Sequence, residues 1–167
     1  MSDNYKFDLV EINIEENFKT NFSGGVAIGN EIVFVPAEYD KIGIFNVDTL
    51  KFRTVNINDD NINNTSGIKF SGGVAIGNTV YFAPYNSDYI GIFDLSSNNF
   101  STHSIVEQYF SDNEGKFSGA TAVGDKVIFA PYNSSVIGIF DSATEEFTFE
   151  NITSSVTVTK SKFYHIQ

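Results

Sequence analysis

The chain has 167 residues, a formal net charge of −11, 41% hydrophobic residues, 17 Phe and 8 Tyr, and neither Cys nor Trp. That is the composition of one globular domain, spanning 1–167, with an aromatic, β-rich core. It excludes disulfides, thiolate metal sites and a cysteine nucleophile, and an acidic chain without a basic stripe is set against nucleic acid and anionic membrane surfaces as partners.

The opening Met1-Ser2-Asp3-Asn4-Tyr5-Lys6 lacks the basic and apolar regions of a secretory signal, and no apolar run approaches the roughly 20 residues that span a bilayer. An intracellular, cytoplasmic protein is expected. The first strand-like run is Phe7-Asp8-Leu9-Val10-Glu11-Ile12, which matches Phe52-Arg53-Thr54-Val55-Asn56-Ile57. Standing ahead of any repeat, residues 7–12 read as an orphan outer strand of the kind that closes a ring.

A repeat begins at Phe22. Three copies align without gaps: FSGGVAIGNEIVFVPAEYDKIGIFN from Phe22, FSGGVAIGNTVYFAPYNSDYIGIFD from Phe70 and FSGATAVGDKVIFAPYNSSVIGIFD from Phe117. The last two agree at 17 of 25 positions, and the offsets are 48 and 47 residues, so one supersecondary unit recurs. Propeller blades and helical solenoids share this period. The punctuation separates them: all three prolines (Pro36, Pro84, Pro131) occupy one repeat position and 11 of the 13 glycines sit at fixed offsets, a pattern that breaks helices.

Each copy reads as four strands, giving repeats at about 22–57, 70–105 and 117–152. In the second copy Ser71-Gly72-Gly73-Val74-Ala75-Ile76 forms strand A, whose small residues suit the crowded axis of a propeller. Gly77-Asn78 turns the chain in a type II′ or I′ hairpin. Val80-Tyr81-Phe82-Ala83 is strand B, ended by Pro84, and Ile90-Gly91-Ile92-Phe93 is strand C; both are apolar on two faces, as in a sheet held between neighbours. After the turn Leu95-Ser96-Ser97-Asn98-Asn99, strand D, Phe100-Ser101-Thr102-His103-Ser104-Ile105, is polar, as an outer edge should be.

Between the first two copies, Asp59-Asp60-Asn61 lacks the alternating ligand spacing of a calcium loop and reads as a solvated acidic turn. The connections between strands D and A are the longest loops, residues 107–114 among them. The tail Lys162-Phe163 echoes Lys69-Phe70 and Lys116-Phe117, as the start of another strand A would. The two histidines, His103 and His165, have no metal-ligand spacing and are expected to face solvent. Counting leaves three C strands against four D-like strands.

The Gly-rich first strand, the Gly-Asn hairpin, the Val-Tyr-Phe strand and the Ile-Gly-Ile-Phe-Asp segment ending in Asn98-Asn99-Phe100 together resemble the kelch-type β-propeller repeat, over residues 22 to 152. Two positions depart from that family: Pro84-Tyr85 and Pro131-Tyr132 stand where it carries a Gly-Gly pair, and Phe52, Phe100 and Phe147 where it carries Trp. The resemblance implies an interaction platform with six or seven blades. Propellers close with about four to eight blades, so three leave two apolar faces open; a homodimer of two chains makes a six-bladed ring, and the rival reading is a piece of a longer propeller.

No Gly-x-Ser-x-Gly elbow, phosphate loop or paired-carboxylate signature occurs, so no enzyme, cofactor or metal site is expected. The candidate binding residues lie on the B–C loops: Tyr85, Asn86 and Ser87, Tyr132, Asn133 and Ser134, and Glu38 and Tyr39 in the first copy. By strand alternation these loops share a face with the long D–A connections, where binding residues gather on rigid scaffolds. A Tyr beside an Asn offers an aromatic ring with amide donors and acceptors; equally, Pro-Tyr-Asn-Ser makes a tight turn whose Tyr packs between blades. The expected function is a non-enzymatic scaffold that forms a homodimeric ring and binds a protein partner through its loop face. The alternative is a carbohydrate-binding propeller with one shallow glycan site per blade.

Overall fold

The computed structural model describes residues 20–63, 65–105 and 115–152, together with positions 9, 11 and 12. Of the expected orphan strand 7–12, Leu9, Glu11 and Ile12 are exposed and lie in no strand; its other residues, the connection 107–114, His165 and the tail at 162–167 fall outside the described residues.

The repeats fold as three four-stranded antiparallel sheets. The first comprises β1 (Phe22–Ile28), β2 (Glu31–Pro36), β3 (Lys41–Asn46) and β4 (Lys51–Asn56). A short helix α1 (Asp60–Asn63) leads to the second sheet, β5 (Phe70–Ile76), β6 (Thr79–Pro84), β7 (Tyr89–Asp94) and β8 (Asn99–Ser104). The third is β9 (Phe117–Val123), β10 (Lys126–Pro131), β11 (Val136–Asp141) and β12 (Glu146–Asn151). Strands pair in chain order within each sheet, the meander of a propeller blade. No helix among the described residues is long and apolar enough to cross a membrane.

Local chemistry explains the repetition. Gly29, Gly77 and Gly124 have φ of 58°, 59° and 61° while the following Asn or Asp does not, as a type II′ hairpin requires. A Cβ on any of the three would meet nothing within 4 Å, so glycine is there for its backbone alone. The β3–β4 turn and its equivalents are organised by Asn46, Asp94 and Asp141, whose side-chain oxygens accept amides two and three residues on. Each prolyl residue ends its strand, opposite Phe22, Phe70 or Phe117.

The core lies between sheets, not within one. Val33, Val35, Ile42 and Ile44 of the first blade pack with Phe70, Phe82 and Phe93 of the second. Tyr81, Ala83 and Ile90 on the second blade's other face pack with Phe117, Phe129 and Phe140 of the third. One face of a blade is thus built from phenylalanines and the other mainly from Val and Ile. α1, where a solvated turn is expected, fills the first gap: Asp59 Oδ1 accepts the Asn61 amide at 2.9 Å and Ile62 is fully buried.

The inner strands approach closely, as expected for strand A. A Cβ on Gly72 would lie 2.9 Å from Gly119 Cα, and the Ser71 and Ser118 hydroxyls meet at 3.0 Å. A second glycine role escapes the sequence. On each strand C, Gly43, Gly91 and Gly138 form the floor beneath the blade's phenylalanines, and a Cβ on Gly91 would stand 2.8 Å from Phe82, 2.9 Å from Phe70 and 3.1 Å from Phe100. These are rings packed in a closed core, so they cannot move aside cheaply. Gly91→Ala is expected to lower stability by about 1–3 kcal/mol, read as a lower urea midpoint; an unchanged midpoint would show that the rings have room to yield.

Candidate functional site

The B–C loops run through residues 37–40, 85–88 and 132–135, just after each proline. The structure divides the expected binding residues between interior and surface. Tyr39 is buried, its ring edge-on to Phe22 at 5.7 Å. Ser87 is buried as well: its hydroxyl accepts the Tyr89 amide and donates to the Tyr89 carbonyl, both at 3.0 Å. Ser134 makes the same pair of bonds with Val136, at 3.1 and 3.4 Å. Asn86 Nδ2 donates to the Ser66 carbonyl at 3.2 Å and its Oδ1 accepts the Gly115 amide at 3.0 Å, so this amide ties its loop to both flanking connections. Tyr85 and Tyr132 lie side by side across a blade boundary, ring centroids 5.3 Å apart and both half-buried. Glu38 is half-buried and Asn133 exposed.

Two residues that sequence reasoning passed over organise this face. Lys69 and Lys116 are 3% and 2% exposed. Lys69 Nζ donates to the Glu38 carbonyl at 2.6 Å and lies 2.7 Å from Asp40 Oδ1; Lys116 Nζ donates to the Asn86 carbonyl at 3.3 Å and lies 2.9 Å from Asp88 Oδ1. In each case the ammonium reaches back into the loop of the preceding blade. The backbone follows: Lys69 N donates to Ala37 O at 3.0 Å and Lys116 N to Tyr85 O at 2.8 Å. A buried ammonium is tolerated because a carboxylate and a carbonyl receive it, while the carboxylates stay about half exposed and keep their hydration. The signal was present in the Lys-Phe dipeptide that opens two of the three repeats.

Other candidate chemistry resolves into structure. Asp59 spends its second oxygen on the Thr102 hydroxyl at 2.9 Å, joining the inter-blade connection to strand β8. His103 packs on the Phe140 ring of the next blade at 4.9 Å and is half-buried, which corrects the expectation of a solvent-facing side chain. No group of three His, Cys, Asp or Glu among the described residues is placed to hold a metal ion. At the axis, Ser23, Ser71, Ser118 and the glycines after them line a shallow concavity of about 170 Å³, and their hydroxyls are bonded from blade to blade.

Shifted ionisation gathers on the opposite face, at the C–D turns. The Ser96 hydroxyl and amide hold the Asp94 carboxyl below its ordinary value. Lys126, at 2.7 Å, does the same for Asp141 with help from the Ala143 amide, and is itself raised by that bond. Burial pushes the Tyr81 hydroxyl up.

No protein-family model and no curated protein sequence matches the chain. Solved structures do resemble it. A streptogramin B lyase shares 13% identity over 81% of this chain and 43% of its own, with a TM-score of 0.61. The WD40 repeats of RRP9 share 9% over 75% and 35%, TM-score 0.56. The computationally designed Ika4 protein shares 11% over 86% and 78%, TM-score 0.55. The chain therefore spans about two-fifths of the lyase and about a third of the WD40 protein. At these identities the likeness is one of fold: the three sheets are β-propeller blades, of a kind found in enzymes and in WD40 proteins alike.

Two outcomes follow from this geometry. Lys116→Met removes the ammonium but leaves Asp88 in contact with water, so it should lower stability by about 1–3 kcal/mol, measured by chemical denaturation; no change would mean that the backbone bonds alone hold the joint. Asp94 and Asp141 have folded pKa values below their unfolded ones, so their stabilisation is complete above the unfolded value and is lost as pH falls through the folded one. The melting temperature should drop below about pH 4, and Asp94→Asn, which keeps the turn as Asn46 does, should weaken that drop.

Proposed function

We propose that this chain is a non-enzymatic β-propeller scaffold, that two copies close into a six-bladed ring, and that the ring holds a protein partner on the face bearing the B–C loops. The observation that carries this reading is a comparison internal to the molecule. In the middle blade, covered on both sides, Phe70, Val80, Phe82, Phe93 and Ile90 are fully buried. Their equivalents Phe22, Ile32, Phe34 and Phe45 on the first blade, and Ile137 on the third, are only half-buried. Each end of the three-blade unit carries side chains suited to a neighbouring sheet, and leaving such faces in water invites association. Two chains supply six blades, within the range in which propellers close.

The resemblance of the repeats to the kelch motif and the fold likeness to WD40 proteins support an interaction role, and an intracellular setting fits the cysteine-free composition. Glu38, Tyr85, Tyr132 and Asn133 are the loop-face residues offered to a partner. The paired rings of Tyr85 and Tyr132 also favour a second reading, in which a sugar ring lies against them beside Asn133.

Light scattering is expected to give about 37 kDa, twice the 18.5 kDa of one chain. A stable 18.5 kDa monomer would overturn the ring. For the loop face, a glycan array with Tyr132→Ala as the comparison separates the readings: silence at millimolar sugar leaves the protein partner, and binding lost in the variant with its melting temperature kept establishes the sugar.

A further inference from the structure

The buried lysine joints have a register, and it breaks at two places. Asn21, Lys69 and Lys116 are equivalent: each precedes its blade's first Phe, and each carbonyl accepts the same loop amide, from Ala37 at 3.0 Å, Tyr85 at 2.9 Å and Tyr132 at 3.0 Å. Asp40, Asp88 and Ser135 are equivalent too: their carbonyls accept the amide that follows strand D, from Ile57 at 3.0 Å, Ile105 at 2.9 Å and Ile152 at 2.9 Å. Inside the chain, lysine meets aspartate twice. The cation position of the first blade is Asn21 and the anion position of the third blade is Ser135, and these have no neighbouring blade among the described residues.

We infer that the ring is closed by an uncharged copy of the internal joint, in which Asn21 of one chain sits against Ser135 of the second copy. The inference rests on the ring reading above and adds its chemistry. Three observations converge. Asn21 Oδ1 has no hydrogen-bond partner among the described residues; its own chain covers it, so the half-buried side chain turns outward to meet the second copy, whose serine hydroxyl is the donor such an oxygen needs. A lysine arriving at Ser135, or an aspartate arriving at Asn21, would be a desolvated charge without its counter-charge; the two neutral positions suit each other. The apolar faces agree as well. Within the chain a Val/Ile-rich face always meets a phenylalanine face. The faces left over are Ile128, Ile137 and Ile139 on the third blade and Phe22, Phe34 and Phe45 on the first, all half-buried. A second copy presents each of them with its complement, and both joints of the ring are then identical.

Charge can be put back to test this. Asn21→Lys alone and Ser135→Asp alone should each weaken the dimer at least tenfold in Kd, measured by sedimentation across a dilution series. The double variant should return to within about threefold of the unmodified chain. Mixing the two single variants is more discriminating: a mixed ring holds one Lys–Asp joint and one Asn–Ser joint, so native mass spectrometry should find the mixed dimer in excess over both parents. A monomeric unmodified chain would overturn the ring and the joint together. A dimeric unmodified chain whose variants act additively, or mix statistically, would leave the ring and overturn the joint. Should either charged variant fail to fold, Ser135→Ala, which removes only the donor, must weaken the dimer severalfold with the melting temperature of the isolated chain unchanged; an unaltered Kd would overturn the joint by itself.

Discussion

Every blade of this protein has two unlike apolar faces, and neither is satisfied by the blade's own strands. A four-stranded meander has no interior; its side chains point up or down, and both directions lead out of the sheet. Burial therefore comes from the next blade, phenylalanine against valine and isoleucine, and the chain is stabilised across its sheet boundaries more than within them. The inner-strand glycines, the lysine joints and the short helix that inserts Ile62 between two blades all serve that stacking. The same constraint makes the terminal faces the main chemical feature of the molecule.

The fold was legible because its signals repeat. A Gly-Asn or Gly-Asp pair between two β-rich runs specifies a hairpin by itself, and finding such a pair three times at offsets of 48 and 47 residues, with proline always a fixed distance later, leaves little else the chain could do. Strand edges came out within about a residue for the same reason. The loop face was less legible, since what matters there depends on contacts across a blade boundary. Ser87 and Tyr39 look like surface residues in a turn, yet one closes its own loop by hydrogen bonds and the other packs beneath the blade.

Lysine beside phenylalanine is ordinary in a sequence, and a charged residue next to a strand reads as a solvated flank. Lys69 and Lys116 are instead buried because the B–C loop of the preceding blade brings a carbonyl and a carboxylate to meet each of them. Asp59-Asp60-Asn61 misleads in the opposite sense: an acidic run becomes a helix start once Thr102 and the Asn61 amide take up the Asp59 oxygens. Neither arrangement could be read without knowing which strands become neighbours.

The tight contact of Gly72 with Gly119 has an architectural consequence. Blades in a propeller are wedges, and the number that fits around a circle depends on how thin each is at the hub relative to its rim. Glycine and serine at the hub let strands from successive blades touch almost backbone to backbone, which makes the wedge angle wide and the count low. Bulkier hub residues would hold the inner edges apart, flatten the angle and favour larger rings, so the smallest side chains in the repeat also bear on how many such blades a circle can take.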